Sequence, residues 1–355
     1  MDSTRRNRLA HIALLASVCS VALVFGAALK GQSRGEFNHP GNILITDQFN
    51  NRVIEIDPAG DIVWQYGGSP TNVGPSAIVG TNDAERVGGL TLMSGTGIPP
   101  AATPNCPSGC VDNRVLLVNH HGKIVWQYGT FGVTGAGPNQ LSVPVQNTYL
   151  TLPDGEAHVL ITDQGNGRII EVSIPHKQIV WEYDGLNNPN AAELLANGNV
   201  LISDENDNVA IEVTHVYGSP SSIVNTYSQA GGFAFSGVAF ASRLPNGHTL
   251  VTDSNNSRIV ETDETGADFW HFFTNARPGS NPAPLPTRAV RLANGNTLIS
   301  DQFNHQVISV DMAGDIVASY GTINTPGFNL HNASVMNAPY SAYVIGDYTG
   351  ITPPF

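Results

Sequence analysis

Charged side chains are scarce in this chain: Asp, Glu, Lys and Arg together make up 13% of its 355 residues. That argues against long helices laced with ion pairs. Basic residues are scarcer still, 16 against 29 acidic ones, for a formal net charge of −13. Residues 1–30 are positive, with Arg5, Arg6, Arg8 and Lys30 against Asp2, so the remainder is more acidic than the whole. Such a surface repels phosphate backbones, which excludes nucleic acid as a partner. It keeps the protein soluble and attracts cations. Cysteine is nearly absent, at three residues. Cys106 and Cys110 have no second cysteine pair to complete a zinc site. In an oxidising compartment, within a Pro/Gly-rich loop, they read as a disulfide.

The N-terminus supports that compartment. A basic stretch precedes an apolar run from Ile12 to Leu29, with small residues at Gly26, Ala27 and Ala28. This is the layout of a secretory signal peptide. The run is also nearly long enough for an uncleaved signal anchor, so both forms stay open. In either case the positive end stays inside and the rest is exported. Arg8 stands where a twin-arginine signal wants an apolar residue, and Val18 precedes Cys19 where lipidation wants a small one. The expected division is 1–30 signal peptide or anchor, 31–40 linker, 41–350 repeat domain and 351–355 tail. The product is secreted, periplasmic or held at the outer side of a membrane by this segment alone, and monomeric.

What is abundant is glycine (37), proline (23) and a repeated phrase. An Asn-Gly turn leads into an apolar stretch that ends at Asp. An Asn-rich turn, an alternating strand, a glycine turn and a strand bearing Ile-Val-Trp-x-Tyr follow. The copies are GNILITDQFNNRVIEIDPAGDIVWQYG from Gly41, AHVLITDQGNGRIIEVSIPHKQIVWEYDG from Ala157, NGNVLISDENDNVAIEV from Asn197, NGHTLVTDSNNSRIVETDETGADFWHF from Asn246, and NGNTLISDQFNHQVISVDMAGDIVASYG from Asn294. A further copy, from Gly88 to Gly129, is split by an insertion at 98–112 that holds both loop cysteines.

A short segment ending in an apolar residue precedes each copy but the first, giving four strands per unit, a to d. Asp47, Asp163, Asp204, Asp253 and Asp301 mark the end of strand b, with Ser94 in the split copy. Their spacing matches four-stranded propeller blades. The alternation has period two and turn residues come too often for helices. A lone meander cannot cover both its faces, whereas a closed ring of them can. The sequence therefore predicts an all-β, six-bladed propeller of four-stranded antiparallel blades, closed by N- and C-terminal strands sharing a blade. HNASVM at 331–336 is expected to supply the missing inner strand, which leaves SAYVIGDYTG at 341–350 either displacing GNILITD or outside the ring.

These copies resemble NHL-type repeats and, more closely, PQQ-like and arylsulfotransferase-type propellers, through their NGNTLI-D and IVW-Y phrases. The resemblance spans roughly residues 40–350 and implies the fold. It carries little about activity, because propellers host unrelated functions.

The recurring residues read as structural. Asp with a following Asn turn has the ligand types for calcium, but the same residues cap turns in nearly every blade. Trp64, Trp126, Trp181 and Trp270 occupy equivalent places in separate blades and are expected in inter-blade packing. Arg52, Arg114, Arg168 and Arg258 start strand c and are expected to pair with the acidic turns.

The b–c and d–a connections are long and share one face, where binding surfaces are usually built. The expected site lies there, at the channel mouth where strands a begin: Asp83, Gln146, Asn190, Arg288, His331 and Asn332. The leading expectation is a non-catalytic binding or scaffold protein for a protein, glycan or small molecule, with no cofactor. The alternative is an arylsulfotransferase-like or lyase-type enzyme, for which His331 with Arg288 is the one candidate catalytic pair.

Overall fold

A computed structural model of the chain describes residues 35–354. The signal or anchor segment expected at 1–30 lies outside the described residues. Within them there is no α-helix, and no helix long and apolar enough to cross a membrane.

Six four-stranded antiparallel sheets form the blades of a propeller. Blade 2 is Thr81–Val87, Leu90–Gly95, Arg114–Asn119 and Ile124–Gly129. Blade 3 is Pro144–Thr151, Ala157–Asp163, Arg168–Ser173 and Ile179–Tyr183. Blade 4 is Pro189–Leu194, Val200–Asp204, Val209–Val213 and Ile223–Tyr227. Blade 5 is Val238–Arg243, Thr249–Asp253, Arg258–Thr262 and Asp268–Phe273. Blade 6 is Arg288–Arg291, Thr297–Asp301, Gln306–Val310 and Ile316–Tyr320. Blade 1 joins the two ends of the domain: Pro339–Val344 is its inner strand, followed by Ile43–Asp47, Arg52–Ile56 and Ile62–Gly67. Inner strands contact their neighbours all round, so the ring is closed.

The closing strand differs from the expected one. HNASVM is not an inner strand. Its His331 carbonyl accepts from Ile62 N at 2.9 Å, and Asn332 bridges Asp61, both at the outer strand of blade 1. Ala333 and Met336 then plug the seam between blades 6 and 1. The segment 341–350 is not surplus: its first residues complete the inner strand. The physical reason lies in the conserved geometry of the Asp turn. The carboxylate of Asp47 accepts from Asn337 N at 2.7 Å, two residues before the inner strand begins. Asp163 does the same for Ser142 N (2.8 Å), Asp253 for Ser236 N (2.7 Å) and Asp112 for Val79 N (2.8 Å). That bond sets the register of strand a.

Each seam between neighbouring sheets holds its own apolar cluster. Leu44 and Val53 of blade 1 meet Met93 and Leu116 of blade 2, for example, and Ile169 of blade 3 meets Ile202 of blade 4. The four tryptophans lie in these seams. Trp64 and Trp126 also donate their indole N–H to carbonyls of the next blade, His120 and Ile174, at 2.9 Å each. A buried amphipathic ring thus fills a seam and satisfies its own polar atom.

The Asp–Asn–Arg pattern is a clamp. Asp47 accepts from Asn50 Nδ2 and Arg52 Nε, both at 2.8 Å, besides Asn337 N. Asp163 with Asn166 and Arg168, and Asp253 with Asn256 and Arg258, repeat it. These carboxylates are spent on protein donors, in keeping with a structural role for the turn. Blade 6 departs from the pattern. Pro284 stands where other blades offer an N–H, and Asp301 Oδ1 is buried without a partner. Burial pushes the Asp301 pKa up to about 6, with Asn304 and Arg277 offsetting only part of the effect.

In blades 1, 2 and 4 the residue closing the b–c turn reaches across to the next blade. Asn51 accepts from Gly80 N (2.9 Å), Asn113 from Val143 N (2.8 Å) and Asn208 from Gly237 N (2.7 Å). In blade 6 His305 takes this role, and its Nδ1 accepts from Ala338 N at 3.0 Å. That bond requires Nδ1 without a proton, and burial pushes the His305 pKa down to about 4. The unfolded chain therefore takes up the proton first, and stability from this group falls as pH drops from about 6.5 toward 4. Asp301 works the other way, since its raised pKa relieves a burial cost over the same range. His305→Asn keeps the acceptor and removes the titration. We expect equal stability at pH 7.5 and about 1–2 kcal/mol in favour of the variant at pH 4.5, read from urea midpoints.

Candidate functional site

Strand a of each blade lines the central channel, and alternate residues face inward. At the long-loop end the wall includes Asp83 (blade 2), Gln146 (blade 3), Asn190 (blade 4), Phe240 (blade 5), Arg288 (blade 6) and Tyr340 (blade 1). Four of the six residues named from sequence therefore come together. His331 and Asn332 do not: they lie at the outer edge of blade 1, where His331 is exposed and lines a surface cleft with Asp61 and Trp64. The structure does not bring the candidate pair His331 and Arg288 together, because the segment carrying His331 serves the seam and not the channel.

The mouth is a hydrogen-bonded ring. Arg288 Nη1 lies 2.6 Å from Asp83 Oδ1, and Arg288 Nη2 3.6 Å from Glu193 Oε1. The Arg288 guanidinium also stacks over Phe240, 4.5 Å from its ring centre. Gln146 donates to Glu193 Oε1 at 2.7 Å and accepts from Ala192 N at 2.7 Å. Asn147 N donates to Asp83 Oδ2 at 3.1 Å. Above this level Tyr340 donates to Asn190 (2.8 Å), Gln48 to Asn82 (2.7 Å) and Gln302 to Gln48 (2.9 Å). Gln48 and Gln302 are the first residues of the Asp turns in blades 1 and 6, so the turns aim amides at the channel axis.

One layer deeper stand Glu85, Glu193, Thr148 and Tyr343. Burial holds the Glu85 carboxyl well above its ordinary range, and the charges of Asp83 and Glu193 add to the rise. Glu193 is raised by burial too, with Arg288 and bonds from Thr352 pulling the other way. Asp83, Glu85 and Glu193 thus crowd three carboxyl groups around one guanidinium, and Glu85 and Glu193 bind protons more tightly here than in water. Sequence reasoning missed Glu85, Glu193 and the amides of the turns. The signal was present: a carboxylate at the same place of strand a in NDAERV and AAELL.

The channel itself is filled. Its two voids are each about 10 Å³, the size of about one water. No His lines them, and among the described residues no group of three or more His, Cys, Asp or Glu is placed to hold a metal ion. The room for a ligand is beside the mouth, in a groove of about 350 Å³. Its walls are the 98–112 insertion (Ile98, Pro99, Val111), the loop before blade 3 (Ser142, Val143) and the amides Gln48, Asn82 and Gln164. The insertion is tied by the Cys106–Cys110 disulfide, Cα atoms 5.4 Å apart. No charged side chain lines the groove. Val143 adopts φ +53°, unusual for a β-branched residue, and the bond from its N–H to Asn113 holds it there.

Fold and channel together define a six-bladed β-propeller with a packed polar core and a neutral groove at its long-loop rim. A protein of unknown function from Bacteroides caccae has a similar structure, with a TM-score of 0.54 at 16% identity, over 86% of this chain and 98% of the other. Virginiamycin B lyase from Staphylococcus aureus gives 0.45 at 14%, over 71% and 77%. A candidate 6-phosphogluconolactonase from Bacteroides uniformis gives 0.48 at 12%, over 85% and 84%. At these identities the likeness is one of fold. No protein-family model matches the chain, and no curated protein does.

Proposed function

We propose that this is an exported, non-catalytic propeller of the NHL or PQQ-like repeat kind, which binds an uncharged ligand in the groove at the long-loop rim. The ligand is a glycan, a peptide segment of a protein, or a small molecule. The observation that carries this reading is the groove's lining: a chain with net charge −13 offers there amides, hydroxyls, aliphatic side chains and the disulfide at Cys110, and no charged group. Apolar walls supply contact area and a few fixed polar groups orient the ligand, as in small-molecule sites generally. Export rests on the basic-then-apolar N-terminus and agrees with the disulfide. The repeat assignment rests on the recurring NGNTLI-D and IVW-Y phrases.

The test is a binding screen with neutral oligosaccharides and uncharged peptides, followed by calorimetry on any hit. Val111 is 47% exposed on the groove wall, so Val111→Glu leaves folding intact while placing a charge in the site. Binding is expected to weaken at least tenfold, roughly the cost of burying an unpaired charge. Val125→Glu, equally exposed on the outer strand of blade 2, leaves it unchanged. Equal affinity of Val111→Glu and the parent would sink the reading.

A further inference from the structure

The opposite end of the channel is built differently. Where the long-loop end carries Asp83, Gln146 and Arg288, the ends of strands a on the short-turn face carry Leu150, Leu195, Leu244 and Leu292, one in each of blades 3 to 6. The C-terminal segment runs into this apolar ring. Ile351 packs in the clusters that contain Leu292 and Ile345. Thr352 donates its N–H (2.8 Å) and its hydroxyl (2.6 Å) to Glu193 Oε2, from the side opposite in sequence to Gln146. Gly350 lies so close to the Arg291 backbone that a Cβ there would come within 2.7 Å of it. The tail is thus seated, and it becomes one wall of a cleft of about 540 Å³.

We propose that this cleft is a second binding site, for a small, largely apolar molecule with one hydrogen-bonding group and no net charge. The volume falls within the roughly 300–1,000 Å³ of ligand pockets. The walls are aliphatic: Leu150, Leu152, Leu195, Leu244, Ile351 and Pro353. The second, independent observation is Ser242. It lines the cleft at 1% exposure, and its hydroxyl is buried with no hydrogen-bond partner. A buried hydroxyl without a partner is costly, and a ligand group placed against it removes that cost. Glu193 and Arg243 also border the cleft, each already paired, with Thr352 and Glu212 respectively. One opposes an anion and the other a cation, which leaves a neutral ligand. The site is independent of the groove on the long-loop face.

The probe is N-phenyl-1-naphthylamine, an uncharged apolar fluorophore, titrated against the full chain. Saturable one-to-one binding is expected, reversed by dodecanol and at least tenfold less well by dodecanoate or dodecylammonium. Leu152 is half-buried in a turn, so Leu152→Glu is expected to fold, with a cooperative melt, and to lose at least tenfold in affinity. Ser242→Ala is expected to lose a few-fold for dodecanol, whose hydroxyl both donates and accepts, and less for the probe, whose arylamine N–H is a single donor flanked by two bulky rings. Val317→Glu, exposed on the outer strand of blade 6, serves as the control. Non-saturable binding, unchanged affinity in Leu152→Glu, an equal loss in Val317→Glu, or equal displacement by the charged amphiphiles would overturn the proposal.

Discussion

A chain ending at residue 337 is expected to yield no soluble, cooperatively folding propeller. The deletion removes Pro339–Val344, which pairs with Ile43–Asp47 along the channel. Blade 1 is left with three strands and an open inner edge, the kind of edge that templates association. Two seam clusters lose Ala342 or Tyr343 and Ile345, all buried. No local repair is available, because no other segment can enter the register that Asp47 sets. A chain ending at 347 keeps the strand and loses the contacts of Tyr348, Ile351, Thr352 and Pro354. It is expected to remain folded with a stability loss of about 2–4 kcal/mol, the scale of two partly buried apolar side chains and two hydrogen bonds. Soluble yield and near-ultraviolet circular dichroism separate the two. A cooperatively folded chain ending at 337 would show that ring closure does not depend on this strand.

Arg288→Met is expected to cost about 3–5 kcal/mol at pH 7.5, because it leaves Asp83 buried without its counter-charge. Methionine keeps the apolar stem against Phe240, so lost packing is a small part of the effect. The sign of the pH dependence follows from the carboxyl groups that remain. Burial already raises Glu85 and Glu193, and removing the guanidinium raises them further, since Arg288 lowers both. The folded variant then binds protons more tightly than the unfolded chain, so its deficit shrinks as pH falls toward 5. Adding Asp83→Asn should recover much of the loss at pH 7.5, with the amide oxygen still accepting from Asn147. Urea unfolding at pH 7.5 and 5.5 reads the parent and both variants. A deficit that is constant with pH would contradict the charge argument.

The fold was legible because the repeat writes the same local chemistry six times. Apolar alternation gives the strands, Asn-Gly gives the a–b turns of blades 4, 5 and 6, and Trp64, Trp126, Trp181 and Trp270 mark the fourth strand of blades 1, 2, 3 and 5. The error fell where repetition stops. HNASVM and the segment from Pro339 both alternate weakly, and the deciding feature is a bond from Asp47 to Asn337 N, 290 residues apart in sequence. No local pattern reveals that pairing: the residue before each of these inner strands is αL, but as Gly80, Val143, Gly237 and Ala338 it has no common residue type to read. Asp83, Gln146, Asn190 and Arg288 could be placed because each opens a strand a whose repeat was clear. His331 was misplaced together with its strand. Gln48 and Gln302 were passed over because they sit in turns that looked purely structural.

At four of the six seams the acceptor bonds from Asn51, Asn113, Asn208 and His305 pin the start of the following blade to the turn of the one before. The d–a loop that arrives at such a bond can lengthen, shorten or change composition without moving the blades that flank it. The loop between Gly67 and Gly80, and the 98–112 excursion that carries the disulfide, both depart from and return to fixed points. The rim is therefore free to diversify its recognition chemistry while the ring beneath it stays the same.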